Sequence, residues 1–182
     1  MRSCVQTPLA ERRRWSLPDG RASVVDAMTK PSAEEISAFL LHAFPNSDGT
    51  PTLVVEHVTD TTARARLLAK RAHLRPGDSL SGPAQMGLAD LAAWTCILHN
   101  LGLSAAASVT SNLNMSFLAK PAHADLIAEA QVLRLGKRTC VCEVRLYSAG
   151  QTQLVAHATI SYAIAFVPEG AVGAYMKPAP TE

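Results

Sequence analysis

Between Gly82 and about Leu101 the chain carries a helical run that is apolar on almost every face: Met86, Leu88, Leu91, Ala92, Trp94, Ile97 and Leu98. A helix apolar all round has to be surrounded by protein. The run has clear ends. Ser81-Gly82-Pro83 opens it, with proline in the first turn, where its missing N–H costs nothing. Asn100-Leu101-Gly102 closes it, with Gly102 free to form a left-handed cap. In the middle sits one acid, Asp90, the only carboxylate of the run. Burying a lone charge is expensive. The rest of the chain must therefore cover this helix and give its acid a purpose.

The 182 residues suffice for one domain with a core of its own. A net charge of +2 and 18% charged residues point to no acidic polymer as partner, so no nucleic acid is expected. No apolar run approaches the roughly 20 residues of a membrane span. Arg12-Arg13-Arg14 is followed at once by Trp15-Ser16-Leu17-Pro18-Asp19-Gly20, which breaks any apolar segment of a secretory signal. Cys4, Cys96, Cys140 and Cys142 form no CxxC pair, which speaks for reduced thiols in a cytoplasmic protein. Cys140 and Cys142 fall on one face of a strand and read as small core residues.

Residues 1–27 differ from the rest: arginine-rich, broken by Pro8, Pro18 and Gly20, without a period. They read as a disordered extension, with Met28 the expected natural start. A domain over 28–167 follows, and 168–182, with Pro178 and Pro180, is expected to be loose. Ser32-Ala33-Glu34-Glu35 is a capping box, and Ile36, Phe39, Leu40 and Ala43 then keep helical spacing up to Pro45. Strands are expected at 52–59 and 63–69, joined by a tight turn at Asp60-Thr61. Beyond the apolar helix, 108–118 alternates with a polar face holding Thr110, Asn112 and Asn114. Segments 125–135, 138–147 and 153–166 follow, separated by short turns that imply antiparallel hairpins. The expected class is α+β, an antiparallel six-stranded sheet wrapped round the long helix, because nothing else in the chain can cover all its faces.

This order of elements resembles the hot-dog fold, and the motifs extend the likeness. Arg75-Pro76-Gly77-Asp78-Ser79-Leu80-Ser81-Gly82-Pro83, then Leu88-Ala89-Asp90, is similar to the PaaI-type acyl-CoA thioesterases. So are the stretches Thr110–Leu118 and Leu154–Tyr162. The likeness spans about residues 32–166. In that family the helix commonly opens with His-Gly-Gly, the histidine nine residues before the acid. Here Ser81 stands at the histidine, Pro83 at the second glycine, and Arg75 where an asparagine is frequent. Gly82 and Asp90 match. The resemblance implies cleavage of an acyl-CoA without cofactor or metal, in a homodimer that is often a dimer of dimers. It also implies that Thr110 helps orient water or the carboxylate.

The residues support that chemistry directly. Gly82 at a helix N-terminus offers a free N–H at the positive end of the helix dipole. Lacking a Cβ, it lets a thioester carbonyl come close. Such a donor stabilises an oxyanion by on the order of 3 kcal/mol. Asp90 can serve as general base or as nucleophile. At 1.5 Å rise per residue, Gly82 and Asp90 lie about 12 Å apart along one helix and cannot both touch one carbonyl. Gly82 of one chain meeting Asp90 of another gives a dimer with two equivalent clefts.

Other positions carry two readings each. Ser81 and Pro83 shape the helix start beside a substrate. Met86 and Trp94 line an acyl pocket or fill the core. Gln85, the third helical position if Gly82 is the cap, bonds to the loop or to substrate. Thr110 helps the carboxylate or is satisfied by backbone, and Asn112 joins it or lines a wet interface. Arg138, with Arg134 and Lys137, holds coenzyme A phosphates or is simply solvated. The six histidines show no metal spacing, and no Gly-x-Ser-x-Gly elbow occurs. The alternatives to a thioesterase are a non-catalytic acyl-CoA binding module and a hot-dog 2-enoyl thioester hydratase.

Overall fold

The computed structural model describes residues 15–16, 22–23, 30–44, 52–168 and 171–175. Of the expected extension, it describes two short strands, β1 (Trp15–Ser16) and β2 (Ala22–Ser23), paired antiparallel. The remainder of residues 1–27 lies outside the described residues, as does most of 168–182, where a single helical turn, Val172–Tyr175, is described.

Helix α1 (Ala33–Ala43) starts with the expected capping box: Ser32 Oγ accepts from the Glu35 N–H at 3.2 Å, and Glu35 Oε2 accepts from the Ser32 N–H at 2.8 Å. It buries Ile36, Phe39 and Leu40. The strands β3 (Leu53–Val58) and β4 (Thr62–Leu67) form the first hairpin. A small ribbon then pairs β5 (Leu74–Arg75) with β6 (Ser79–Leu80). Its turn needs left-handed backbone twice, at Gly77 (φ 90°) and Asp78 (φ 51°), residue types that tolerate it. The ribbon delivers the chain to helix α2 (Gly82–Leu101).

Four long strands follow: β7 (Val109–Phe117), β8 (Leu126–Leu135), β9 (Thr139–Ser148) and β10 (Leu154–Ala163). With β3 and β4 they make one six-stranded antiparallel sheet in the order β3-β4-β8-β9-β10-β7. The last strand stops three residues before the expected end, because its neighbours stop too: Ala163 pairs with Val109 and Thr139, the first residues of β7 and β9.

The sheet curls round α2. Its inner face is built from small residues (Ala65, Ala128, Cys142 and Ala158 among them, all buried) and α2 answers with Ala89, Ala92, Ala93 and Cys96. Small groups on both sides let helix and sheet approach closely, and close packing supplies the dispersion contacts of the core. Cys140 and Cys142 are buried side by side, as their spacing suggested. The sheet does not cover the whole helix, however. Pro83, Met86 and Gly87 are exposed and Asp90 is half-buried. These positions form one stripe at helical spacing, so the complete wrapping expected from the sequence is corrected to a wrapping with one open strip. No helix among the described residues is long and apolar enough to cross a membrane.

Candidate active site

Asp90 sits on the open strip of α2 and is held by the sheet. Thr110 Oγ1 donates to Asp90 Oδ1 at 2.7 Å. Tyr162 Oη donates to the same oxygen at 2.7 Å and lies 3.1 Å from the Asp90 carbonyl oxygen. Among the described residues nothing donates to Oδ2.

A bulge makes this possible. Asn112 pairs with Ser161, but Thr110 pairs with Tyr162, so Ser111 is an extra residue on β7. Paired residues share a face of the sheet. Thr110 therefore turns inward beside the buried Tyr162, whereas Asn112 and Asn114 stay on the outer face opposite Ser161 and Thr159. Simple alternation had placed Thr110 and Asn112 together; the bulge separates them. Bulges at sheet edges commonly re-aim a side chain in this way. Ser111 Oγ donates to the Ser161 carbonyl at 3.1 Å, occupying the irregular position.

Tyr162 was not singled out from the sequence. A signal was present: Ala156, Ala158, Ile160 and Tyr162 alternate inward along β10, and a tyrosine ending such a series carries a hydroxyl into the buried layer. Its ionisation is pushed far up, by burial first and then by the Asp90 charge. The phenol is thus neutral, a donor, at any working pH.

The second half of the site is the start of α2. Ser81 is the cap, its Oγ accepting from the Ala84 N–H at 3.4 Å, and Gly82 is the first helical residue. Gln85 accordingly falls at the fourth position rather than the third. Among the described residues the Gly82 N–H has no acceptor, as expected at the first turn. Gln85 is buried; Nε2 donates to the Leu80 carbonyl at 3.3 Å, and Oε1 has no partner among the described residues. Gly82 and Gln85 line a cavity of about 500 Å³ together with Arg75, Phe117 and Lys120. Phe117 leans on the glycine: a Cβ at position 82 would lie 3.4 Å from its ring. Asp90 does not line this cavity.

The other candidates are scattered. Trp94 packs edge-to-face on Phe39 (5.6 Å between centroids) and Phe44 (6.2 Å) in the layer between α1 and α2. Met86 lies on the open strip, 39% exposed. Pro83 is exposed at the second helical position. Arg138, exposed, ends the β8–β9 turn at the same end of the sheet as Thr110, its carbonyl accepting from the Ile164 N–H at 2.9 Å.

The model of the thioesterase superfamily matches residues 77–155, a span that includes Gly82, Asp90 and Thr110. A crystal structure of a candidate thioesterase from Silicibacter sp. TM1040 is 32% identical, covers 76% of this chain and 96% of its own, and superposes with a TM-score of 0.68. The chain belongs to the hot-dog thioesterase superfamily. Two more distant structures share the fold: zebrafish thioesterase superfamily member 2 (18% identity, 74% of this chain and 99% of that one, TM-score 0.63) and a thioesterase of Haemophilus influenzae (15%, 78% and 96%, 0.65). No curated protein matches the chain. Membership in the thioesterase superfamily makes thioester hydrolysis the general chemistry of the chain. Within the superfamily fold, Asp90 and Gly82 of this chain contact opposite ends of a single strand: Asp90 at Thr110 and Gly82 at Phe117.

Proposed function

We propose that this thioesterase hydrolyses an acyl-CoA at two equivalent clefts of a homodimer, each cleft made by Asp90 of one subunit and Gly82 of the partner subunit. The observation that carries the reading is the placement of those two residues at opposite ends of β7. That strand is one edge of the sheet, and among the described residues no strand pairs with its outer side. It exposes Val109 (59%) and Phe117 (51%), and such an edge invites another strand. A two-fold axis through its middle sets β7 antiparallel to itself. The Thr110 end then meets the Phe117 end, which brings Asp90 towards Gly82 of the partner subunit. The open strip of Pro83, Met86 and Gly87 gains a cover by the same operation. The contact is isologous and closed, the usual form of a dimer.

In such a cleft the thioester carbonyl accepts from the free glycine N–H. Asp90 Oδ2 takes a proton from water as the water oxygen attacks the carbonyl carbon. The tetrahedral oxyanion is stabilised by the helix N-terminus. On collapse the C–S bond breaks, the carboxylic acid forms, and the thiolate recovers the proton. Direct attack by Oδ2, with an anhydride hydrolysed afterwards, uses the same oxygen.

The test is thiol release from short, medium, long and aryl acyl-CoAs, wild type against Asp90→Asn. Turnover on at least one acyl-CoA, lost by a factor on the order of 100 or more in the variant, is the expected result. Tight binding of acyl-CoA with no turnover by the wild type points instead to a binding module.

A further inference from the structure

Tyr162 touches one residue at two places, the carboxylate oxygen Oδ1 and the backbone carbonyl of Asp90. A bond to Oδ1 from a hydroxyl packed against the same residue's backbone restrains the Asp90 side-chain torsions. The phenol itself is immobile, 4% exposed on the inner face of β10 and paired across to Cys140 and Thr110. We infer that Tyr162 is the positioning residue of the reacting carboxylate: it holds Oδ1 in place with Thr110 and so commits Oδ2 to the water or the thioester. This assignment rests on the reading of Asp90 as the reacting acid.

The division of the two oxygens follows from donor count. Each hydroxyl has one proton to give, and both are directed to Oδ1. A hydrogen bond to a charged acceptor is the stronger kind, so the phenol proton goes to the carboxylate, and the 3.1 Å approach to the carbonyl oxygen has no proton of its own. Tyr162 donates from the sheet's buried side and Thr110 from its edge. The other titratable groups beside Tyr162 among the described residues are the thiol of its cross-strand neighbour Cys140, pushed far up by its bond to Cys142 and by burial, and the Cys142 thiol on β9. There the Cys140 hydrogen bond lowers the pKa, but Cys96 and burial outweigh it and raise it to about 12. It is uncharged across the working range. Among the described residues no cation forms an ion pair with Asp90, so the two hydroxyls are its stabilising partners.

Tyr162→Phe tests the role, since the ring still fills its place. Donors to a carboxylate favour its ionised form. The variant is expected to lose kcat on the order of 10-fold, with KM within about twofold because Tyr162 does not touch substrate. The acid limb of the kcat/KM profile should move up. A side chain that mattered for packing alone would lower the melting temperature and leave that limb where it was. Installing 3-fluorotyrosine at position 162, the same shape with a stronger donor, should move the limb down instead. An active wild type, an inactive Asp90→Asn and a Tyr162→Phe profile that overlays the wild type overturn this assignment alone. A wild type that cleaves no thioester overturns the reading beneath it, and the assignment with it.

Discussion

Replacing Thr110 with valine removes one hydroxyl and nothing else. Both residues are β-branched and suit a strand, so β7 should keep its place at the sheet edge. What is lost is the 2.7 Å hydrogen bond from Oγ1 to Asp90 Oδ1. Bonds to charged groups contribute about 1.5–3 kcal/mol. Thr110, though turned inward, stays accessible to solvent in the single chain, and Tyr162 still donates to the same oxygen, so the low end applies. About 1.4 kcal/mol is tenfold in rate. The expected loss in kcat/KM is therefore about tenfold, carried by kcat. Thr110→Ser keeps the hydroxyl and should stay within about threefold of wild type, a factor worth less than 1 kcal/mol. The assay is continuous thiol release on the best acyl-CoA, with melting curves to confirm folding. Full activity in Thr110→Val refutes the reasoning, as does a loss in Thr110→Ser equal to that in Thr110→Val.

Four further outcomes follow from other parts of the molecule. A Cβ at Gly87 meets nothing within 4 Å, so Gly87→Leu should leave the circular dichroism of the subunit intact yet break the dimer in size-exclusion chromatography and abolish activity. Phe39→Ala removes a buried ring from Trp94 and should cost about 3–5 kcal/mol in chemical unfolding. Burial holds the pKa of His73 below the ordinary histidine value of 6.5, so the unfolded chain takes up this proton first on acidification. Stability from this group is present above pH 6.5 and lost as pH falls through the folded pKa; His73→Gln should flatten that slope in urea titrations from pH 7.5 to 5. In single-turnover hydrolysis in ¹⁸O-water, label retained by the enzyme is the outcome expected if Asp90 is the nucleophile and water attacks the Asp90 carbon of the anhydride, and an enzyme free of label is the outcome expected if Asp90 is a general base.

The architecture was legible because its signals are local and physical. The all-round apolar run with Pro83 inside its start and Gly102 past its end marks α2 to the residue. The capping box at Ser32 marks α1. Period-two alternation and short turns mark the six strands within a few residues, the largest error being the end of β10. The site was only half legible. Gly82 and Asp90 stand out as a free N–H and a misplaced acid. The bulge at Ser111 does not, since no glycine or proline signals it and its only trace is a slip in pairing. Without the slip, Thr110 falls on the wrong face. Tyr162 was hidden for a related reason: it looks like one more inward apolar residue until its hydroxyl is placed against Asp90. The open strip on α2 was invisible because periodicity reports that a face is apolar, and not whether the same chain or a second copy covers it.

The central claim, a cleft shared between two subunits, is tested most directly by mixing two inactive proteins. Gly82→Pro removes the N–H at a position where the preceding Ser81 already has the extended backbone that proline requires (φ −72°, ψ 157°). Asp90→Asn removes the carboxylate proposed to react. Each homodimer should be inactive. After unfolding and refolding in equal amounts, half the dimers are mixed, and each mixed dimer has one intact and one doubly altered cleft. Recovery of about one quarter of wild-type activity is the predicted result. Mixed dimers verified by differential tagging that recover no activity contradict it, and place both groups in the cleft of a single chain or outside the reaction.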